Sequence, residues 1–239
     1  MQFKGYGMKV DNNGIFYYDE TSRGNEVIFN SVPKRKEGLE PSKFYELIDN
    51  PNLLIKYAVT HFDDEKIRYM LKRFILLQSK INKTDLPTSY YMENGMMQGT
   101  VVPYYKDCKS LYTISETNSL EELMKYYKHD DDYIHNLFIL LSDILDITEE
   151  LADNGIYYYD NHPGNFVFKD NEVQLIDFDP AHIKYEVDKK GYRKMLENYD
   201  QLVFLLNKRF ELADLCVYYP KNIKGMRKHL IKIENKIRR

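Results

Sequence analysis

The sequence predicts an α+β fold in which a β-rich first half precedes a helical second half. Three observations predict it. Short runs of aromatic and β-branched residues, broken by Gly, Asn and Asp, fill residues 1–103, which is the pattern of strands and turns. Apolar residues recur at helical spacing from Tyr133 to Asn154 and again from about Tyr192 to Ala213. Between those two stretches, residues 155–180 replace the helical period with two strand-like runs and a loop crowded with Asp, Asn and His. The pattern changes after Pro103, so 1–103 and 104–239 are expected as two lobes of one domain. A chain of 239 residues is long enough for two small lobes around a cleft.

In the first half, Gly14–Asp19 and Glu26–Phe29 are expected as strands joined by a turn over Glu20–Asn25. Val32–Asn50 reads as an insertion, with Pro41–Asp49 as a short helix whose first turn holds the proline. Asn52–Val59 is an apolar strand with one charge inside it, Lys56, and a buried cation needs a partner. Asp63–Ile81 is a helix: Ile67, Met70, Leu71, Phe74 and Ile81 share a face, and Asp63 is the expected N-cap. Thr88–Met92 and Met97–Pro103 form a hairpin turning at Glu93-Asn94-Gly95.

In the second half, Ser119–Lys128 is a short helix. Asp130-Asp131-Asp132 then precedes a long one, where three carboxylates favour the positive helix start. Leu137, Leu140, Leu141, Ile144, Thr148 and Leu151 form its buried stripe, and Gly155 ends it. Phe166–Phe168 and Val173–Ile176 are two short strands joined by a tight turn at Lys169–Glu172. Pro180 breaks the second run. A helix follows with Leu196, Tyr199, Val203, Leu206 and Phe210 on one side. The last stretch, Lys221–Arg239, is basic, with eight Lys or Arg against one Glu, and is expected as a solvated helix or a dock for an acidic partner or membrane surface.

Composition narrows the function. The net charge of −3 argues against a whole-surface nucleic-acid binder. Two cysteines, Cys108 and Cys216, have no metal-ligand spacing, which fits a reducing compartment. The longest apolar run, Leu137–Leu141, is far below the ~20 residues that cross a bilayer, so no transmembrane segment is expected. The opening Met1–Gly7 has no signal-peptide core, and a cytoplasmic location is expected. The abundance of Tyr, Asn, Lys and Ile reflects coding composition more than function.

Chemistry concentrates in residues 155–180. Asp160 and Asn165 lie in a loop before the strand pair, and Asp177 lies just past its second strand. Folding that hairpin back brings Asp177 near Asn165. Two carboxylates and an amide converging on one loop suit a hard cation such as Mg²⁺, which prefers oxygen ligands and keeps substrate phosphates in its shell.

Asp160-Asn161-His162-Pro163-Gly164-Asn165, followed by two strands and Ile176-Asp177-Phe178-Asp179, resembles the catalytic core of the protein-kinase-like superfamily. The His-Pro-Gly between Asp160 and Asn165 is closer to aminoglycoside and choline phosphotransferases than to ordinary Ser/Thr kinases. The resemblance is strong over about 26 residues and looser over about 50–215. It implies a two-lobed kinase-like fold with a shortened helical C-lobe, Mg-ATP as phosphoryl donor, and an alcohol as acceptor. Asp160 would take or orient the acceptor proton. Asn165, Asp177 and Asp179 would hold the metal, and His162 would contact the γ-phosphate or brace the loop. Lys56 matches the strand lysine that holds the α- and β-phosphates, with Glu65 as its helix partner. Arg23 would substitute for a poor glycine loop, and Pro103, Tyr104 and Tyr105 occupy the hinge where adenine would sit. Tyr158 replaces the His of the catalytic loop and would pack beneath it, while Asp179 stands where kinases carry Gly, as in the small-molecule branch. Small bacterial kinase-like effectors are similar in economy, which would place the chain in a host cell if translocated. The acceptor is a protein or a small molecule, and a pseudokinase that binds nucleotide without turnover is the alternative of a different class.

Overall fold

Asn50–Tyr57 is built for burial: Leu53, Leu54 and Ile55 present apolar side chains to both faces of whatever sheet receives them. In the computed structural model it is an interior strand of a seven-stranded sheet. The structure describes residues 8–28, 42–57, 65–77, 81, 84, 86–115, 117–129, 131–158, 163–169, 171–177, 183–184, 203–212 and 222–239. The expected N-cap Asp63, the stripe residues Leu196 and Tyr199, Pro180 and Cys216 lie outside them. The architecture mixes this sheet with helices and divides into two compact units, Met1–Lys106 and Asp107–Arg239.

The first unit holds β1 (Met8–Val10), β2 (Phe16–Tyr18), β3 (Arg23–Val27), β4 (Lys43–Leu47), β5 (Asn50–Tyr57), α1 (Glu65–Leu77), β6 (Ser89–Glu93) and β7 (Met96–Pro103). The strand order is β1-β2-β6-β7-β5-β4-β3, antiparallel throughout except for the parallel pair β2–β6. Two expectations are corrected. The strands on either side of residues 20–25 do not form a hairpin: β2 pairs with β1 and β6, and β3 pairs with β4. A 3₁₀ turn at Glu20–Ser22 redirects the chain, capped by Asp19, whose carboxylate accepts from the Thr21 amide. Tyr17 is then free to stack on Tyr90 of β6, with ring centroids 5.2 Å apart. The second correction is β4, expected as a helix. Phe44 and Tyr45 favour a pleated surface, and the two-residue turn at Ile48–Asp49 folds β4 directly against β5.

Asn94 and Gly95 both have positive φ, 50° and 76°, the left-handed pair that a two-residue hairpin demands. Gly99 of β7 is required for another reason: a Cβ there would lie 2.4 Å from the Lys56 carbonyl oxygen. The sheet buries both faces. On one, Ile15, Tyr90 and Met97 pack with Leu71 of α1; on the other, Tyr18, Leu47, Ile55, Tyr91 and Val101 form a second cluster. α1 is tied down by a polar link as well, since Lys72 donates to Asp11 at 2.7 Å and Tyr90 donates to the same oxygen at 3.1 Å.

The second unit holds β8 (Lys109–Ser110), α2 (Thr117–Tyr126), α3 (Tyr133–Asp153), β9 (Tyr157–Tyr158), β10 (Phe166–Lys169), β11 (Glu172–Leu175), β12 (Ile183–Lys184), α4 (203–210) and α5 (Ile223–Ile237). Asp132 is the α3 N-cap, accepting from the His135 amide, so at least this member of the acidic triplet serves the helix start. α5 lays Ile223, Met226, Leu230 and Ile233 inward. Its Arg227 donates to Ser142 and Glu149 and pairs with Asp146, all on α3, while Arg238 reaches Asp132. Part of the basic terminus therefore fastens α5 to α3 within the chain. No described helix is long and apolar enough to cross a membrane.

Candidate active site

Gly155, at φ +70°, ends α3, and the Ile156 amide closes on Leu151 O at 2.8 Å. The chain then enters β9, whose partner is β12, with Tyr158 opposite Ile183. Tyr158 is 1% exposed, so its hydroxyl needs partners inside the protein. Both of its hydrogen-bonding roles are used. The hydroxyl donates to the Asp177 carbonyl at 2.6 Å and accepts from Nδ2 of Asn165 at 2.9 Å.

The hairpin of β10 and β11 supplies the rest. Phe166 pairs with Leu175 and Lys169 with Glu172, and the ladder continues one step further: the Ile176 amide donates to the Asn165 carbonyl at 2.7 Å. Asn165 and Asp177 thus leave the same end of the hairpin, twelve positions apart in the chain and adjacent in space. Asn165 is buried in the 3₁₀ turn Pro163–Asn165, and Asp177 is half-buried.

Asp177 has φ +60°. For a residue with a Cβ this left-handed backbone costs of order 1–3 kcal/mol and persists only where neighbours hold it. Here they do, through the Ile176 amide on one side and the Tyr158 hydroxyl on the other. Asp177 is one of several described non-glycine residues with positive φ, and these two hydrogen bonds fix it beside the buried Asn165.

Asp160, His162 and Asp179 lie outside the described residues. Lys56 is on β5 between β7 and β4, in a cross-strand row Tyr17–Tyr90–Thr100–Lys56–Phe44 that shares one face. It is 7% exposed, so it is an interior lysine rather than a solvated edge residue. Glu65 opens α1 and is exposed; a polar residue that α1 does turn toward the sheet is Lys72. Pro103 ends β7 opposite Leu53, and the Tyr104 amide donates to Asn52 O at 2.7 Å. Tyr104 and Tyr105 are half-buried, and Lys106 lies over the Tyr104 ring at 5.2 Å.

Arg23 is not at a hairpin tip. It begins β3, donates to Glu93 at 2.7 Å and lies over the Tyr45 ring at 5.1 Å. The other oxygen of Glu93 accepts from Tyr57 at 2.7 Å. Burial would lower the Arg23 pKa, but Tyr91, Glu93 and Tyr45 around it raise it above the ordinary value. The neighbouring Tyr91 hydroxyl is pushed up to about 12, chiefly by burial. Arg23 is therefore a member of a half-buried polar network. No local pattern announces that network, because Glu93 is seventy positions away.

Among the described residues, no three His, Cys, Asp or Glu side chains cluster as a metal site. The donor chemistry nevertheless suits a hard cation: a carboxylate and a carboxamide oxygen, with no thiolate or imidazole required. No protein-family model matches the chain, and no curated protein matches it.

Proposed function

We propose that the chain is an ATP-dependent phosphotransferase with a kinase-like fold, transferring the γ-phosphoryl group of Mg-ATP to an alcohol, with a protein acceptor ahead of a small molecule. The observation that carries the reading is the convergence of Asn165 and Asp177 around the buried Tyr158 hydroxyl, with Asp177 held in left-handed backbone. A second observation supports it. Lys56 lies inside the third strand of the antiparallel run β3-β4-β5, and a helix follows that strand, as the phosphate-bracing lysine of kinases does.

In this reading, the acceptor oxygen attacks the γ-phosphorus, the bond to the β–γ bridging oxygen breaks, ADP leaves, and the acceptor proton passes to Asp160. Asn165 and Asp177, with Asp179, are the residues that would hold magnesium, which neutralises the phosphate charge when bound. Lys56 braces the α- and β-phosphates. Such catalysis is mainly positioning and charge neutralisation, which explains why the described groups are held so tightly.

The test is incubation with γ-labelled ATP, with and without Mg²⁺, in a cell lysate. Metal-dependent label on a protein is the expected result. Label on a small molecule changes the acceptor and keeps the reaction. Mg-ATP binding with no labelled product, including the chain itself, replaces this reading with a nucleotide-binding pseudokinase.

A further inference from the structure

We propose that the Tyr158 hydroxyl is the positioning group of the cation site, setting which atom of the Asn165 carboxamide faces the metal. The inference rests on the phosphotransfer reading and deepens it. The hydroxyl carries one hydrogen. The Asp177 carbonyl can only accept, and it lies 2.6 Å from the hydroxyl oxygen, so the hydrogen is committed there. What remains toward Asn165 is a lone pair, so the amide atom 2.9 Å away must be the donor Nδ2. Oδ1, the only metal-ligating atom of that side chain, is therefore turned away from Tyr158.

The same hydroxyl closes a ring. Asn165 O accepts from the Ile176 amide, Ile176 is bonded to Asp177, the Asp177 carbonyl accepts from Tyr158, and Tyr158 accepts from Asn165 Nδ2. Three hydrogen bonds of 2.6 to 2.9 Å thereby fix both proposed ligands against each other. Phenylalanine would fill the same buried volume and break two of the three bonds. Outer partners of metal ligands commonly govern affinity or activity by roughly 10–100-fold.

The experiment compares the unmutated chain with Tyr158→Phe by Mg²⁺ titration at saturating ATP, alongside thermal unfolding without ligand. The expected result is a half-saturating Mg²⁺ concentration raised roughly 10–100-fold, with the ATP KM little changed and the variant folded. A ring that merely fills the core would leave the Mg²⁺ profile where it was. Asn165→Asp adds a sharper readout. A carboxylate facing the hydroxyl lone pair should be damaging when Tyr158 is present and less so when combined with Tyr158→Phe, and an additive pair of losses overturns the proposal. Should Tyr158→Phe fail to fold, the Asn165 side-chain amide in the unmutated protein decides. One carboxamide proton shifted and protected from exchange supports the arrangement, and two freely exchanging protons overturn it. An unmutated chain indifferent to Mg-ATP overturns both this inference and the phosphotransfer reading. Equal Mg²⁺ dependence of the two chains overturns this inference alone.

Discussion

At Asp177 two demands meet, and they separate by substitution. Its carboxylate serves the proposed cation site, and its backbone adopts a conformation that a side chain disfavours. Removing the carboxylate as Asp177→Ala keeps the strain, whereas Asp177→Gly removes both. Both variants should lose phosphoryl transfer, but Asp177→Gly should be the more stable by about 1 kcal/mol, read as a higher unfolding midpoint. Equal midpoints would mean that the left-handed backbone carries no strain. The proximity of Asp177 to Asn165 was legible in the sequence, because two short apolar runs flank the turn at Lys169–Glu172, and folding them back on each other brings their outer ends together. The Tyr158 hydroxyl was not: a Tyr in a strand reads as packing, and nothing local says that its oxygen has partners across the hairpin. The setting of Arg23 was illegible for a related reason, since its partner Glu93 lies on β6, seventy residues away.

Among the elements, α1 depends on a link whose strength varies with pH. Burial pushes the Asp11 carboxyl up, but hydrogen bonds from Lys72, the Ile15 and Asn13 amides and Tyr90 outweigh it and hold the pKa at about 2. A carboxyl with a depressed folded-state pKa stabilises fully above its unfolded value, near 3.8, and loses that contribution as pH falls toward about 2. Asp11→Asn keeps an oxygen for the two backbone amides and loses the ion pair with Lys72. The stability gap between the two chains should therefore be widest above pH ~4 and should close toward pH ~2, as measured by urea unfolding across that range. A gap independent of pH would show that Asp11 acts by geometry alone. Long periodic elements such as α3 were legible, because a stripe of six apolar-facing residues has only one helical solution. β4 was not, because a proline and a polar turn mimic a helix start, while the strand is decided by what β3 and β5 offer on either side.

For the whole molecule, the change from strand-rich to helical sequence is real: the seven-stranded sheet lies in Met1–Lys106, and every described α-helix except α1 lies in Asp107–Arg239. The order of the strands was less legible. The parallel pair β2–β6 joins residues more than seventy positions apart, and its stabilising contact, Tyr17 on Tyr90, exists only once the sheet has formed. The basic C-terminus shows the same limit. Its charge suggested a solvated helix or, less favoured, an external dock, whereas Arg227 meets the acidic side of α3.

Phosphoryl transfer by this chain is tested most directly by measuring γ-phosphate transfer and Mg-ATP binding together, in the unmutated protein and in Asp160→Ala. Asp160 stands five positions before Asn165 and is assigned the proton, not the nucleotide. A general base is typically worth roughly 10²–10⁴-fold in rate. The expected result is loss of transfer by about that factor with Mg-ATP affinity retained. Transfer undiminished in Asp160→Ala, or no transfer by the unmutated protein while it binds Mg-ATP, would contradict it.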